Sequence, residues 1–553
     1  MACCFRLPVE LHGQTLSAAF DQRGVATLSV GNVTLINLNS GLGDAFSVGS
    51  YQLGNTDGWG ETGHSASWDQ GTKTIVWRWD WGSVSCQYAP ALDRGELRMI
   101  LTVRNGSRQT LKGITIYPFG LQFPKLPGGF GAPNFPQFHN NLDAPNLIAA
   151  DLRTQTVFFE DLGTKPLYVG LSPSGRANHY RLQVGTINDQ SEGFLARAAP
   201  IERTVGPGES EAITITLRTS APSQAVQHVR AEQAERYGKA WPQTLRWKDR
   251  RPIGELFLSN PTTEPLPDSG PNPRNYTIAN NIDVRTGPGR GNFAKNVLAY
   301  ADRALKILES AHAQGVIVWD LEGQQYPQPD TSYIGDPTLL PKLAPEMDAI
   351  ADQFFRKFTA AGLRCGLTIR PQSIDISAAI PKQADVPTSR QAENIISKIR
   401  YANKRWGCSL FYVDSNGGPN DASAPSVFQD VQRALPDVLV IPENIWPRYY
   451  AYAAPLASFT APYKPLHTPA WVKHVWPDAF TVTYIGDAPN HDLRNNPDNP
   501  NQWNEFVEAV RQGDILTFRA WFNDQPLNQQ VNAVYQAAQS AGARSKTSEK
   551  PGH

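Results

Sequence analysis

Through the first 220 residues the chain alternates apolar and polar positions at a period of two. In ELRMILTVRNGS (96–107), Leu97, Met99, Leu101 and Val103 fall on one side, with Arg98, Thr102 and Arg104 on the other. That is the pattern of a strand with one buried face. TIVWRWDW (74–81), LKGITIYPFGLQF (111–123), TVFFEDL (156–162) and AITITLRTS (212–220) are as short and as rich in Val, Ile, Thr and aromatics, and Asn-Gly, Pro-Gly and Ser-Gly turns punctuate the region. The spacing predicts an N-terminal antiparallel β-sandwich over residues 1–221. PSQAVQHVRAEQAERYGKA (222–240) then changes to helical spacing, which predicts a linking helix within 222–250.

From 251 the rhythm becomes strand, helix, strand, helix. Eight short apolar runs follow: ELFLSN (255–260), VIVWDLEG (316–323), LRCGLTIRP (363–371), SLFYVDSNG (409–417), VLVIPEN (438–444), SFTAPYK (458–464), FTVTYIGD (480–487) and ILTFRAWF (515–522). Amphipathic stretches at 292–314, 342–361, 391–405, 425–435, 501–512 and 527–540 separate most of them. Eight β-α units over 251–541 predict a (β/α)8 TIM barrel rather than an open doubly wound sheet. Residues 542–553 are polar and read as a disordered tail. No GxGxxG follows any run, so no dinucleotide or other cofactor is expected.

Composition narrows the partners. In 553 residues, 51 Lys and Arg balance 51 Asp and Glu, without the basic surplus that nucleic-acid binding demands. No apolar run reaches the roughly 18 residues of a membrane helix. Five scattered cysteines make no disulfide framework and no zinc-ligand spacing. The N-terminus MACCFRLPVELHGQ has no apolar leader core. A cytoplasmic location is therefore expected, or a secreted or periplasmic one if a leader has been removed. Nothing in the pattern bears on oligomeric state.

A TIM barrel keeps its chemistry at the C-terminal ends of its strands. Asp320 and Glu322 stand there on the second run, Asp414 on the fourth, Glu443 on the fifth and Asp487 on the seventh. If Val316 and Val318 fill the barrel, alternation points Asp320 and Glu322 up its mouth and leaves Trp319 on the outer, core-packing face. The same parity aligns Tyr412 with Asp414, Ile441 with Glu443, and Thr481, Thr483 and Ile485 with Asp487. One carboxylate after a strand is ordinarily a turn former or helix cap. Five meeting at one rim repel one another, and structure alone gives little reason to gather them. Paired carboxylates suit glycosidic cleavage, where one attacks or stabilises the anomeric carbon and the other delivers a proton. Trp446, Tyr463 and Trp521 supply flat faces for sugar rings beside these acids. Arg370 and Arg519 end the third and eighth runs, placed to hold ionised members by bidentate pairing. The carboxylates have no His at ligand spacing, so no metal is expected among them.

The layout resembles that of TIM-barrel glycoside hydrolases with an N-terminal β-sandwich of the supersandwich type. WDLEGQ followed by SYIGDP, then FYVDSNGG and IPEN, is similar to segments of poorly characterised bacterial proteins described as glycosidases. In strand positions the acids are similar to those of the alpha-amylase superfamily. That resemblance implies Asp414 as nucleophile, Glu443 as acid/base and Asp487 as a third carboxylate. Asn490-His491-Asp492 is similar to that superfamily's seventh-strand segment, so Asp492 competes with Asp487. Tyr412 stands where the superfamily has Arg, and the alpha-galactosidase arrangement needs an acid on strand six, where SFTAPYK has none. Asp320 and Glu322 either bind substrate hydroxyls or pair with Asp414, with Glu443 supporting. The expected activity is hydrolysis of an oligo- or polysaccharide, retaining, and exo-acting because the loops at 261–290 and 323–341 would close one end. The alternatives are a non-catalytic carbohydrate-binding or scaffold protein on such a barrel, and a metal-dependent sugar isomerase or lyase.

Overall fold

The computed structural model describes residues 9–12, 16–123, 147–151, 156–161, 168–173, 176, 179–185, 204–220, 238–239, 241–259, 270–279, 281–323, 335–377, 382–384, 386–415, 425–443, 447–458, 467–468, 470–485, 492–495, 500–519 and 525–548. The chain divides into two compact units, residues 1–240 with 419–421, and residues 241–418 with 422–553.

Among the described residues the first unit holds antiparallel sheets, one of four strands and two of seven. Glu96–Asn105 lies between Gly82–Ala91 and Ser210–Ser220. Leu97, Met99, Leu101 and Val103 are fully buried, whereas Arg98 and Arg104 are exposed. The buried face packs in one core with Val48, Ile114 and Ile116 of the other seven-stranded sheet. Period-two alternation is informative here because each sheet has one wet and one dry face.

The second unit is an eight-stranded parallel sheet, numbered here β1 (Ile253–Phe257), β2 (Gly315–Trp319), β3 (Arg364–Ile369), β4 (Leu410–Val413), β5 (Leu439–Pro442), β6 (Leu456–Ser458), β7 (Val482–Tyr484) and β8 (Ile515–Arg519). The strand order is 5-4-3-2-1-8-7-6, with β1 paired to β8. The Ala454 N–H donates to the Val440 carbonyl at 3.0 Å and links β5 to the lead-in of β6. Helices follow the strands, among them α1 (Gly287–Ser310), α2 (Pro345–Ala360), α3 (Thr388–Trp406), α4 (Pro425–Ala434), α5 (Gln502–Arg511) and α6 (Gln525–Ser548). The chain therefore has the TIM-barrel fold preceded by antiparallel β-sheets.

Which face of each strand looks inward is set by register. Ile253, Ile317, Leu410, Tyr412, Leu439, Ile441, Leu456, Val482 and Ile515 form one core cluster, with Trp319 and Tyr484 packed against it. Contributions from strands all around the sheet identify this as the barrel interior. Two parity expectations need correction. Val316 and Val318 face outward, and Ile317 and Trp319 face in. On β7, Val482 and Tyr484 face in, and Thr481, Thr483 and Ile485 are buried on the outer side. Parallel strands under helices are dry on both faces, so VIVW and FTVTYI carry no in-out signal.

The expected link over 222–250 falls largely outside the described residues. Of its described part, residues 238–239 are helical, and 241–250 are irregular and belong to the barrel unit. Leu245 enters the barrel core, and the Trp247 indole donates to Gln314 Oε1 at 3.0 Å, just before β2. At the other end of the chain α6 runs on to Ser548, through most of the expected tail.

Candidate active site

Register carries the two central acids one step past their strands. The Asp414 N–H donates to the Ile369 carbonyl (2.9 Å) and the Glu443 N–H to the Val413 carbonyl (3.0 Å). The ladder thus extends beyond β4 and β5 and keeps both residues on the inward face of Tyr412 and Ile441. Ser415 then turns the chain with a left-handed φ of 53°. Its hydroxyl donates to Asp414 Oδ2 at 2.7 Å, and its N–H donates to Glu443 Oε2 at 2.8 Å. One residue holds an acid from each of two adjacent strands.

Arg370, the residue after β3, places Nη2 3.0 Å from the same Asp414 Oδ2. Its Nη1 donates to Gln383 Oε1 at 2.8 Å, and its N–H to the Gly335 carbonyl at 3.0 Å. Gly335 has φ 65°, and a Cβ there would come within 3.0 Å of Arg370. The close approach that seats the arginine therefore requires glycine. The pair is buried, so the guanidinium supplies charge compensation that solvent does not.

Asp320 follows β2 on the outward parity but has a left-handed φ of 60°, which breaks the alternation. The Gly323 N–H donates to its carbonyl at 2.8 Å and closes a tight turn. Both Asp320 carboxylate oxygens are buried, and among the described residues neither closes a hydrogen bond of ordinary geometry. Burial pushes its carboxyl up to about 7. Ser259 (hydroxyl and amide) and Arg370 oppose the rise, and the charge of Asp414 adds to it. Glu322 is pushed up to about 8, chiefly by burial and then by the charges of Asp336 and Asp320, with its own amide and Lys398 opposing. Burial lowers Lys398, against Asp336 and Glu322. Asp320 of β2 and Asp414 of β4 thus meet at Arg370, Glu322 faces Lys398, and Glu443 of β5 joins Asp414 through Ser415. Among the described residues no three His, Cys, Asp or Glu side chains are grouped as a metal ion would need.

An aromatic wall stands beside them. Trp319 stacks on Phe257 (centroids 4.8 Å apart, planes at 12°) and lies 4.9 Å from Tyr412. Trp319 is on the inner face, contrary to its expected outer position, for the parity reason given above. Across the barrel Arg519 donates from Nε to the Tyr484 hydroxyl at 2.6 Å, so it joins a tyrosine of β7 and no acid of the β2–β5 group in the contacts described. Asp492 spends its carboxylate on a local turn, accepting from the Arg494 N–H (2.9 Å) and Asn495 Nδ2 (2.6 Å), which hold it below the usual carboxylate range. Trp446, Tyr463, Asp487 and Trp521 lie outside the described residues.

The pattern reading missed Ser415, Asp336, Gln372 and Lys398. Only the last had a clear signal. Gln391, Ile395, Lys398, Ile399 and Ala402 form the buried stripe of α3, and a lysine on an apolar stripe marks a buried charge with work to do.

No family model matches the sequence, and no curated protein matches it by sequence. Solved structures match by fold. An alpha-N-acetylgalactosaminidase from Bifidobacterium bifidum, in complex with GalNAc, aligns over 96% of this chain and 93% of its own at 10% identity, with a TM-score of 0.52. The galactosidase domain of an alpha-galactosidase–sucrose kinase aligns over 96% and 85% at 11% identity, TM-score 0.46. A GH36 alpha-galactosidase from Geobacillus stearothermophilus aligns over 96% and 86% at 11% identity, TM-score 0.40. The chain therefore has the sandwich-plus-barrel fold of TIM-barrel glycosidases; at such identities the likeness carries architecture and no residue roles.

Proposed function

We propose that the chain is a glycoside hydrolase acting on O-glycosidic bonds of an oligo- or polysaccharide, with Asp414 as nucleophile and Glu443 as acid/base. The observation that carries this reading is the shared anchor at Ser415, which brings acids from β4 and β5 together at the barrel mouth. Among the described residues Arg370 and Ser415 both engage Asp414 Oδ2, so Oδ1 is the oxygen that bonds to the anomeric carbon. As that bond forms, the glycosidic C–O bond breaks and Glu443 gives its proton to the leaving oxygen. Glu443, now ionised, then takes a proton from the water that releases the sugar, with net retention. Arg370 stabilises the carboxylate that must be charged before attack.

Asp320 and Glu322, neutral over much of the range below their raised values, act as hydrogen-bond donors to sugar hydroxyls. Trp319 and Phe257 offer ring faces, with Trp446, Tyr463 and Trp521 as further platforms. Arg519 with Tyr484 supplies donors on the far wall, and Asp487, after β7, is the remaining candidate for a third acid. Asp492 takes no part, since its turn occupies it. Exo action rests on the long segments after β1 and β2. Aryl α-galactosides and α-N-acetylgalactosaminides are the first substrates to try, given what the proteins of similar fold act on.

A second reading makes Asp320 the proton donor, favoured by its carboxyl value of about 7. Leaving groups separate the two. The variant lacking the true acid keeps turnover of dinitrophenyl glycosides, which leave without a proton, and loses it on alkyl glycosides. The test of the whole reading is hydrolysis of aryl glycosides that survives chelator and is abolished in Asp414→Asn. Sugar binding with no turnover in the wild-type protein overturns it.

A further inference from the structure

The ε-ammonium of Lys398 lies beneath the mouth, on the inner stripe of α3, and the glycosidase mechanism gives it no contact with substrate. Its Nζ donates to the carbonyl of Arg370 at 2.8 Å and to that of Gln372 at 2.6 Å, and lies 3.6 Å from Asp336 Oδ2. The side chain is only 1% exposed. A buried charge tied to two main-chain carbonyls two residues apart fixes the backbone between them, because both carbonyls lose their partner if the turn rotates.

That turn is the common root of the acid anchors. From Arg370 the guanidinium reaches Asp414, and from Gln372 the amide Nε2 donates to the Ser415 carbonyl at 3.0 Å. Ser415 in turn holds Asp414 through its hydroxyl and Glu443 through its N–H. Asn394, one turn earlier on α3, donates to the carbonyls of Pro371 and Gln372 at 2.7 and 3.1 Å, so the helix grips the turn at two levels. Asp336 faces the ammonium while its other oxygen caps the Thr338 N–H and hydroxyl, which fixes the counter-charge. Among the described residues Glu322, Asp320 and Arg370 are the further charged groups of this knot.

We propose that Lys398 is a positioning residue for the acid pair, clamping the 370–372 turn so that Arg370 and Gln372 together set the geometry of Asp414, Ser415 and Glu443. This rests on the glycosidase reading for its kinetic consequence, though not for its structural one. A misplacement of about 1 Å in reacting groups costs roughly a hundredfold in rate, while distant sugar contacts are untouched.

The experiment is Lys398→Met in the full chain, with kcat and KM on the aryl glycoside that wild type turns over, the melting temperature, and a crystal structure of the variant. The expected result is a roughly ten- to hundredfold fall in kcat with KM changed by less than about threefold, and Arg370 displaced from its 3.0 Å approach to Asp414. A lower melting temperature with kcat unchanged, or an undisturbed Arg370–Asp414 pair, overturns the proposal. If wild type hydrolyses no glycoside, the function reading fails, and the crystal geometry alone decides the clamp. If Lys398→Met does not fold, Lys398→Gln, which keeps one amide donor and drops the charge, is measured in the same way: a fall in kcat with Arg370 displaced supports the clamp, and an unchanged kcat or an undisturbed pair overturns it.

Discussion

Two buried aspartates, at opposite ends of the barrel, have been treated differently. Asp514, just ahead of β8, accepts from the N–H and hydroxyl of Thr468 and from the Thr481 N–H. Burial raises its carboxyl, and those bonds with Lys473 oppose the rise. Asp320, just past β2, is also buried, yet among the described residues neither of its oxygens closes an ordinary hydrogen bond, and its backbone is left-handed. A carboxylate saturated by local donors is a structural joint that ties β7, β8 and the 468 segment together. One kept in a left-handed turn beside Arg370, Asp414 and the Ser259 hydroxyl and amide is the one proposed above to meet substrate. The division follows the polarity of the fold, stability at the N-terminal end of the strands and chemistry at the C-terminal end.

The comparison can be broken by mutation. Asp414→Asn, at the chemical end, should lower kcat by roughly 10⁴-fold or more with the thermal transition little changed; near-normal turnover would remove Asp414 from the mechanism. Glu443→Gln should cost roughly 10²–10⁴-fold on substrates whose leaving group needs a proton, and much less on dinitrophenyl glycosides. Equal losses on both would assign Glu443 another role. At the structural end, Asp514→Ala takes the acceptor from two buried backbone N–H groups and the Thr468 hydroxyl and should destabilise by about 3 kcal/mol or more by chemical denaturation. The protein that remains folded should keep its kcat/KM; a selective loss of activity would blur the division.

Asp320→Asn should change stability with the opposite sign to Asp514→Ala. Its carboxyl rises from 3.8 to about 7 on folding, so the folded state binds more protons than the unfolded one between those values. Stability from this group is complete below about pH 4 and is lost as pH rises through about 7, with an upper bound of about 4 kcal/mol. Asparagine has no charge to bury, so the variant should melt higher than wild type at pH 8 and match it near pH 4, while hydrolysing sugars more slowly. A variant less stable at pH 8 would make Asp320 a structural joint like Asp514.

Much of this was legible in the residues. The β-sandwich was readable because its strands have one wet face, and seven of the eight apolar runs located barrel strands; β6 (Leu456–Ser458) meets the expected SFTAPYK run only at Ser458, and the rest of that run lies outside the described residues. The strand-end acids at 414 and 443 could be placed because LFYV-Asp and LVIP-Glu keep their inward parity into the mouth. The inward faces of β2 and β7 were not readable, since helices dry their outer sides. Nor was the left-handed turn at Asp320, because nothing local forbids an extended aspartate. Lys398 left a trace, one cation on an apolar stripe, but its partners on the 370–372 turn come from another element of the fold.

The most direct test of the central claim is covalent. Wild-type protein is incubated with 2-deoxy-2-fluoro glycosyl fluorides, which form a glycosyl-enzyme readily and release it slowly, and is then digested for peptide mass mapping. One added sugar is expected, on the FYVDSNGG peptide at Asp414, with no labelling in Asp414→Asn. A label on Asp320 or Glu443, or steady turnover of a natural glycoside by Asp414→Asn, would contradict it.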